Sequence, residues 1–305
     1  MATIGIPKGM FFFEYSSIWE EFFKILGFEV ILSQDTNRKI MDDGIKCCSN
    51  ETCLPVKVFH GHVMSLKDKV DYVFIPRYQS TGKNEYTCPK LCGLPDMIAV
   101  NLGDQIKILE IKINMNSCRD ETKESLVKLA QTLKIDSEKV LKAFNATWER
   151  HTQLMAKKNK ANVKKEVNNK NVIILLGHPY MIYDNFISMR LIEKLERKNI
   201  EVFTPWDIDY ETKRRNAHPY QGKTFWDIGF ELLGSAFTCA KDERVKGIVY
   251  LTPFACGLDA FIMEFIELDI KSKNQGLPIL KLTVDEHTGE AGFDTRLEAF
   301  IDMIG

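Results

Sequence analysis

Thr3-Ile-Gly-Ile6, Phe11 to Leu26 and Glu29-Val-Ile-Leu32 are the three consecutive segments whose reading decides the fold. The first and third are short apolar runs. The middle one repeats its apolar residues at the helical period and stops at Gly27. Strand, helix and strand in that order make a parallel βαβ unit. The rhythm continues with a short helix from Asn37 to Ile45, a helix from Pro55 to Leu66 and a buried strand from Tyr72 to Ile75. A long loop from Pro76 to Pro95 and a strand near Ile106 to Ile111 follow. After a charged helical stretch it restarts: strands at Val172 to Leu176, Val202 to Thr204, Gly247 to Leu251 and Ile279 to Leu282 alternate with helices at Asn185 to Lys198, Phe225 to Lys241, Leu258 to about Ile270 and onward from Asp294. The expected architecture is two tandem α/β domains, residues 1–118 and 171–305, joined by a helical connector over 119–170.

Composition narrows the function classes. With 305 residues, 45% hydrophobic and 27% charged, the chain can bury a sizeable core in each domain. Lys and Arg (41) nearly balance Asp and Glu (42), which leaves no general positive field for nucleic acid. No segment reaches the roughly 18 uninterrupted apolar residues of a membrane span, and the N-terminus lacks a basic region followed by an apolar run. The expected location is the cytoplasm. There, eight cysteines serve as buried thiols, metal ligands or redox groups rather than a disulfide framework. Lys157, Lys158, Lys160, Lys164 and Lys165 form either a solvated helix face or a docking surface for an acidic partner.

The cysteines are unevenly spread: Cys47, Cys48, Cys53, Cys88 and Cys92 lie close together in sequence. Pro55 opens a helix whose first N–H groups point back at Cys53, a setting that favours a thiolate. Cys88 and Cys256 each follow a strand, and in open parallel sheets ligands bind beyond the carboxyl ends of strands. If the domains face each other, Cys53, Cys88 and Cys256 converge on one site. Cys118 and Cys239 read as small buried hydrophobes, while Cys47, Cys48 and Cys92 stay open. Zinc is the alternative occupant: Cys88-x3-Cys92 has a knuckle's spacing, but no second pair matches it, so a zinc-stabilised binding or scaffold protein is the competing class. Lys57 would offset the negative charge of thiolates and whatever metal group they hold. His60 and His62 are either packed helix histidines or ligand contacts, and His178, in Gly177-His-Pro-Tyr, lines the same cleft or marks a turn. The loop Asp285-Glu-His-Thr-Gly-Glu-Ala-Gly292 is structural or ligand-facing. The dinucleotide glycine fingerprint, the phosphate-binding loop and the serine-hydrolase elbow are all missing from the sequence.

Several motifs recur together and in order: Gly5-Ile-Pro-Lys-Gly9, Glu51-Thr-Cys-Leu-Pro-Val-Lys-Val-Phe-His-Gly-His62, Asp71-Tyr-Val-Phe-Ile-Pro-Arg77, Cys88-Pro-Lys-Leu-Cys-Gly-Leu-Pro-Asp96, Gly177-His-Pro-Tyr180, Phe254-Ala-Cys-Gly-Leu-Asp-Ala260 and Asp285 to Gly292. In this the chain resembles, nearly end to end, the family related to 2-hydroxyacyl-CoA dehydratases and their activases, the DUF2229 group. The resemblance implies two Rossmann-like (flavodoxin-like) domains with an iron–sulfur cluster between them. It implies Cys53, Cys88 and Cys256 as cluster ligands, holding a [4Fe-4S] cubane with one open iron. Relatives carry a double-cubane [8Fe-9S] cluster on six cysteines, for which Cys48 is the first additional choice here. The resemblance also implies an anaerobic, low-potential electron acceptor fed by an ATP-hydrolysing activase with its own iron–sulfur cluster, and a homodimer or a related sister subunit. The chain shows no CoA-binding pattern.

Overall fold

The computed structural model describes residues 2–82, 85–115, 119–162, 171–217, 226–273 and 276–305. Cys118, Lys164, Lys165 and Phe225 lie outside the described residues, as do the side chains of Lys158 and Lys160. The chain is a mixed α/β protein of two compact units, Met1–Met155 and Ala156–Gly305, each with its own core.

In the first unit β1 (Thr3–Ile6), α1 (Phe12–Leu26) and β2 (Glu29–Leu32) form the βαβ unit read from the sequence. On α1, Ile18, Trp19, Phe22, Phe23 and Leu26 make one buried stripe at helical spacing. Burying an aromatic such as Phe22 or Phe23 contributes about 1.5–3 kcal/mol. Gly27, at φ +93°, returns its N–H to the helix end, a geometry that favours glycine. Then come α2 (Arg38–Lys46), α3 (Leu54–Leu66) and β3 (Tyr72–Phe74). With β6 (Ile108–Leu109), the strands form a parallel sheet in the order β2-β1-β3-β6. Asp71 accepts hydrogen bonds from the Thr3 backbone N–H (2.7 Å) and hydroxyl (3.0 Å), fastening the start of β3 to β1.

Within 76–95, expected to be one long loop, the described residues form strands and helices. They contain β4 (Arg77–Gly82), β5 (Glu85–Tyr86), α4 (Pro89–Cys92) and the start of α5 (Leu94–Leu102). Strand β4 pairs antiparallel with β5 and parallel with β7 (Lys112–Asn114), making a second small sheet. The signal was a two-residue alternation: Tyr78 and Ser80 are buried while their neighbours are not. Trp19 Nε1 donates to the Tyr78 hydroxyl at 2.7 Å, tying this sheet to α1. Helices α6 (Arg119–Leu133) and α7 (Ser137–Asn162) cover the stretch read as a connector. They place Leu126, Leu129, Ala130, Val140, Ala143 and Phe144 in the same core as α1.

The second unit holds β8 (Val172–Leu176), α8 (Pro179–Ile182), α9 (Leu191–Glu196), β9 (Glu201–Phe203), α10 (Tyr210–Ala217), α11 (Asp227–Cys239), β10 (Val245–Pro253), α12 (Gly257–Ser272), β11 (Ile279–Val284) and α13 (Glu290–Ile304). Its sheet is parallel, in the order β11-β10-β8-β9. All five residues of β8 are buried, as a continuous apolar run in the middle of a parallel sheet should be. Helix α9 is shorter than the span expected from Asn185. The Asp184 carboxylate accepts from the N–H groups of Phe186 (2.9 Å) and Ile187 (3.1 Å), and Met189 and Arg190 adopt φ of +50° and +56°. Those left-handed residues interrupt the helical path. Helix α13 begins at Glu290, four residues before the expected start. Among the described residues no helix is long and apolar enough to cross a membrane.

Candidate functional site

In the first unit the thiols gather around the approach to α3. Asn37 caps α2 by accepting from the Ile40 N–H at 3.1 Å, and Cys47 ends that helix, its thiol donating to the Asp43 carbonyl at 3.3 Å. Cys53 is the N-cap of α3, with extended backbone and Pro55 in the first turn, the arrangement expected from Leu54-Pro55. Its thiol is partly exposed and does not cap the helix. Lys57, 2% exposed, extends its ammonium to the Asn50 carbonyl at 3.0 Å, bracing the loop before Cys53. Cys48 neighbours both: burial above all, then Cys47, raises its thiol to about 12, with Lys57 opposing and Cys53 adding to the rise. An unmetallated Cys48 therefore keeps its proton at neutral pH, and a metal ion would have to displace it.

The two histidines of α3 face inward. The Val56 carbonyl only accepts, so His60 Nδ1 carries the proton to it (2.8 Å) and Nε2 accepts from the Asn101 amide (3.0 Å). Burial lowers the His60 pKa. Both ring nitrogens are thus engaged by protein. His62 is held likewise by Ser33 Oγ and Thr36 Oγ1, each at 2.9 Å, and burial, aided by Lys8, pushes it down to about 4. Ser33 Oγ also accepts the Lys8 backbone N–H at 2.8 Å, which anchors the Gly5-Ile-Pro-Lys-Gly9 motif beside α3.

Cys88 is the partly exposed N-cap of α4, and Cys92 ends that helix. Arg77 steadies this corner. Its guanidinium donates to the Cys92 carbonyl (2.9 Å), to both oxygens of Asp96 (2.7 and 2.9 Å) and to both oxygens of Glu110 (2.5 and 3.2 Å). The Asn101–His60 hydrogen bond links α5, which comes after the Cys88–Cys92 turn, to α3, which comes after Cys53.

In the second unit, β8 ends at Gly177. Its φ is +151°, and a Cβ there would stand 2.5 Å from the Leu251 carbonyl, so the chain passes close over β10 into His178. Strand β10 ends in a turn with Ala255 at φ +64°, and Cys256 is the N-cap of α12, its sulfur accepting from the Asp259 N–H at 3.5 Å. His178, Cys256 and Asp259 come together with their donor atoms all within 4.8 Å of one another. Asp259 is fully buried: Oδ1 accepts from the Tyr250 hydroxyl (3.2 Å) and Oδ2 from the Thr252 hydroxyl (3.0 Å). His178 is 3% exposed, with Nε2 3.1 Å from Asp259 Oδ1 and the ring stacked on Tyr180. Burial disfavours the imidazolium, but the Asp259 carboxylate and Cys256 outweigh it and hold the pKa well above the ordinary histidine value. By contrast Cys239 ends α11, buried, with its thiol raised to about 12 chiefly by that burial.

The sequence had singled out His178 and Cys256 separately. Asp259 had no assigned role, although its position three residues after Cys256 on a helix puts it one turn away on the same face. Tyr250 and Thr252 alternate along β10 and show no motif at all.

His178, Cys256 and Asp259 form a group whose donor atoms could hold a metal ion. A family model described as the CoA enzyme activase uncharacterised domain (DUF2229) matches residues 3–208, and the chain belongs to that family. No curated protein matches it. Among solved structures it is similar to a Zn(II)-bound mutant variant of AdcAII from Streptococcus pneumoniae, at 13% identity over 99% of this chain and 96% of that one, TM-score 0.32. It is also similar to the SBP FpvC from Pseudomonas aeruginosa in complex with Mn2+, at 13% identity over 100% and 99%, TM-score 0.31.

Proposed function

We propose that the chain is an iron–sulfur component of the 2-hydroxyacyl-CoA dehydratase type, built on two Rossmann-like domains and reduced by a separate ATP-hydrolysing activase. Family membership supports the class. The observation that carries the reading is the setting of the thiols: Cys53 and Cys256 are partly exposed at the N-termini of helices of 13 and 16 residues, while Cys239 is buried at a helix C-terminus. A helix N-terminus stabilises thiolate and an anionic group bound to it. Cys88, also a partly exposed N-cap, completes the three-cysteine set, with Cys48 as the next candidate ligand.

A cluster held by these thiolates would supply low-potential one-electron chemistry. The chain's own residues do the rest. Lys57 fixes the Cys53 approach and places a cation among the thiols. Arg77 fixes the Cys88 corner. His178 and Asp259 stand against Cys256 and govern its orientation. With no phosphate-binding loop in the sequence, ATP hydrolysis is assigned to the activase and not to this chain. The proposed setting is an anaerobic cytoplasm, with the chain as a homodimer or beside a sister subunit.

The test is anaerobic purification followed by iron, acid-labile sulfide and zinc analysis with an optical spectrum. Iron and sulfide in near-equal amounts with a brown chromophore are expected. A colourless chain with stoichiometric zinc and no sulfide would replace this reading with a zinc-stabilised scaffold.

A further inference from the structure

We infer that the second unit carries a mononuclear divalent-metal site of zinc type, formed by His178, Cys256 and Asp259 without any ligand from the first unit. The inference does not depend on the cluster reading, and it assigns Cys256 a second set of partners. Three donor types that zinc accepts (imidazole nitrogen, thiolate sulfur and carboxylate oxygen) lie within 4.8 Å of one another. Tetrahedral zinc with bonds of about 2.0–2.3 Å sets its ligand atoms about 3.3–3.8 Å apart, so side-chain shifts of about 1 Å would bring the group to that spacing. His178 Nε2 is buried and makes no hydrogen bond. It stands 3.1 Å from Asp259 Oδ1, close enough for one ion to touch both atoms.

The surroundings match those of metal carboxylates. Tyr250 and Thr252 hydroxyls hold the two Asp259 oxygens in place, and the Asp259 N–H holds the Cys256 sulfur. Such outer partners orient ligands and raise affinity. His178 follows β8, while Cys256 caps α12 and Asp259 lies in its first turn just after β10, so a bound ion would tie the ends of β8 and β10 together. Three protein ligands leave a fourth position for water, the pattern of an open rather than a closed zinc site.

The experiment uses the full chain, stripped of metal under reducing anaerobic conditions and titrated with Co2+ and then Zn2+. One tight equivalent of Co2+ is expected, with a thiolate-to-cobalt charge-transfer band that disappears in Cys256→Ser but persists in Cys53→Ser and Cys88→Ser. His178→Ala and Asp259→Asn should each weaken Zn2+ binding at least tenfold. Thr252→Val, which removes no ligand, should weaken it severalfold. X-ray absorption of the Zn2+-loaded wild type, which needs no variant, should show one sulfur and the remainder nitrogen or oxygen. Two or more sulfurs, or a band that survives Cys256→Ser, overturns the inference while leaving the cluster reading standing. A correct cobalt spectrum from a chain that takes up no iron and sulfide has the opposite meaning.

Discussion

Gly44 stands so close to Lys57 that a Cβ at Gly44 would lie 1.9 Å from the Lys57 carbonyl oxygen. The relationship is mirrored one turn along: a Cβ at Gly61 would lie 1.8 Å from the Ile40 carbonyl oxygen. Helices α2 and α3 therefore cross backbone to backbone, and the loop with Cys47, Cys48 and Cys53 is strung between them. Only glycine permits this approach.

Gly44→Ala and Gly61→Ala should each destabilise the first unit by at least about 2 kcal/mol, because the obstacle is backbone rather than a movable side chain. Thermal melts should show a fall of about 4–8 °C. Gly292→Ala, on α13 with nothing within 4 Å of the new methyl, should be neutral or stabilise by about 0.5–1 kcal/mol. Equal melting of all three variants would contradict the close crossing.

Arg77→Lys should loosen the Cys88–Cys92 corner while keeping the charge, since an ammonium cannot make the forked contacts to Asp96 and Glu110 together with the Cys92 carbonyl. A loss of about 1–3 kcal/mol is expected. Alkylation of Cys88 and Cys92 in the metal-free chain, followed by mass spectrometry, should speed up severalfold, with Cys239 unchanged.

His62 gives stability a pH dependence of definite sign. The folded ring titrates near 4 and its ordinary value is 6.5, so between those values the unfolded chain binds the extra proton. Stability from this residue is fully present above about pH 6.5 and drains away as pH falls to 4. Between pH 7 and pH 5 the loss should be about 2 kcal/mol. His62→Gln, which stays neutral, should show a flatter urea-unfolding dependence over that interval; an identical slope would show that the ring is not held neutral.

Cys53→Ser, Cys88→Ser and Cys256→Ser should each lower iron and sulfide content severalfold after anaerobic purification. Cys239→Ser should not. Iron contents that do not separate these four variants would remove the assignment.

Cys256 belongs to both proposed sites, and this makes them exclusive. Zinc bound beforehand should suppress reconstitution with iron and sulfide, and a chelator should restore it. His178→Ala should abolish the zinc effect without needing to change iron uptake in zinc-free buffer. Undiminished iron uptake by the zinc-loaded chain would show that the two sites are not in competition.

The parallel strands and most helices were legible because their signals are local: an apolar run, a 3.6-residue period, Asn37 as a cap, Gly27 as a stop. Residues 76–95 were misread because cysteines, prolines and glycines outweighed the alternation of Tyr78 and Ser80. The stretch 119–170 looked like a connector because its many charges masked the spacing of Leu126, Leu129 and Ala130 on one helix and Val140, Ala143 and Phe144 on the next. His178 and Cys256 were legible as chemistry. Their meeting with Asp259 was not, since it depends on how β8 and β10 end beside each other, a fact of strand order that no local pattern encodes.

The fully buried strand β8 has a consequence for synthesis. Its neighbours in the sheet, β9 and β10, both follow it in the chain, starting at Glu201 and Val245. At translation rates of about 5–20 residues per second, Val172 to Leu176 must wait several seconds or more for its second partner. Until β9 is made this five-residue apolar strand has two unpaired edges, and until β10 is made it keeps one, the kind of segment that pairs with other copies of itself. Production of this chain should therefore depend on how fast it is made: slower synthesis at lower temperature, or a chaperone that holds β8, should raise the yield of folded protein.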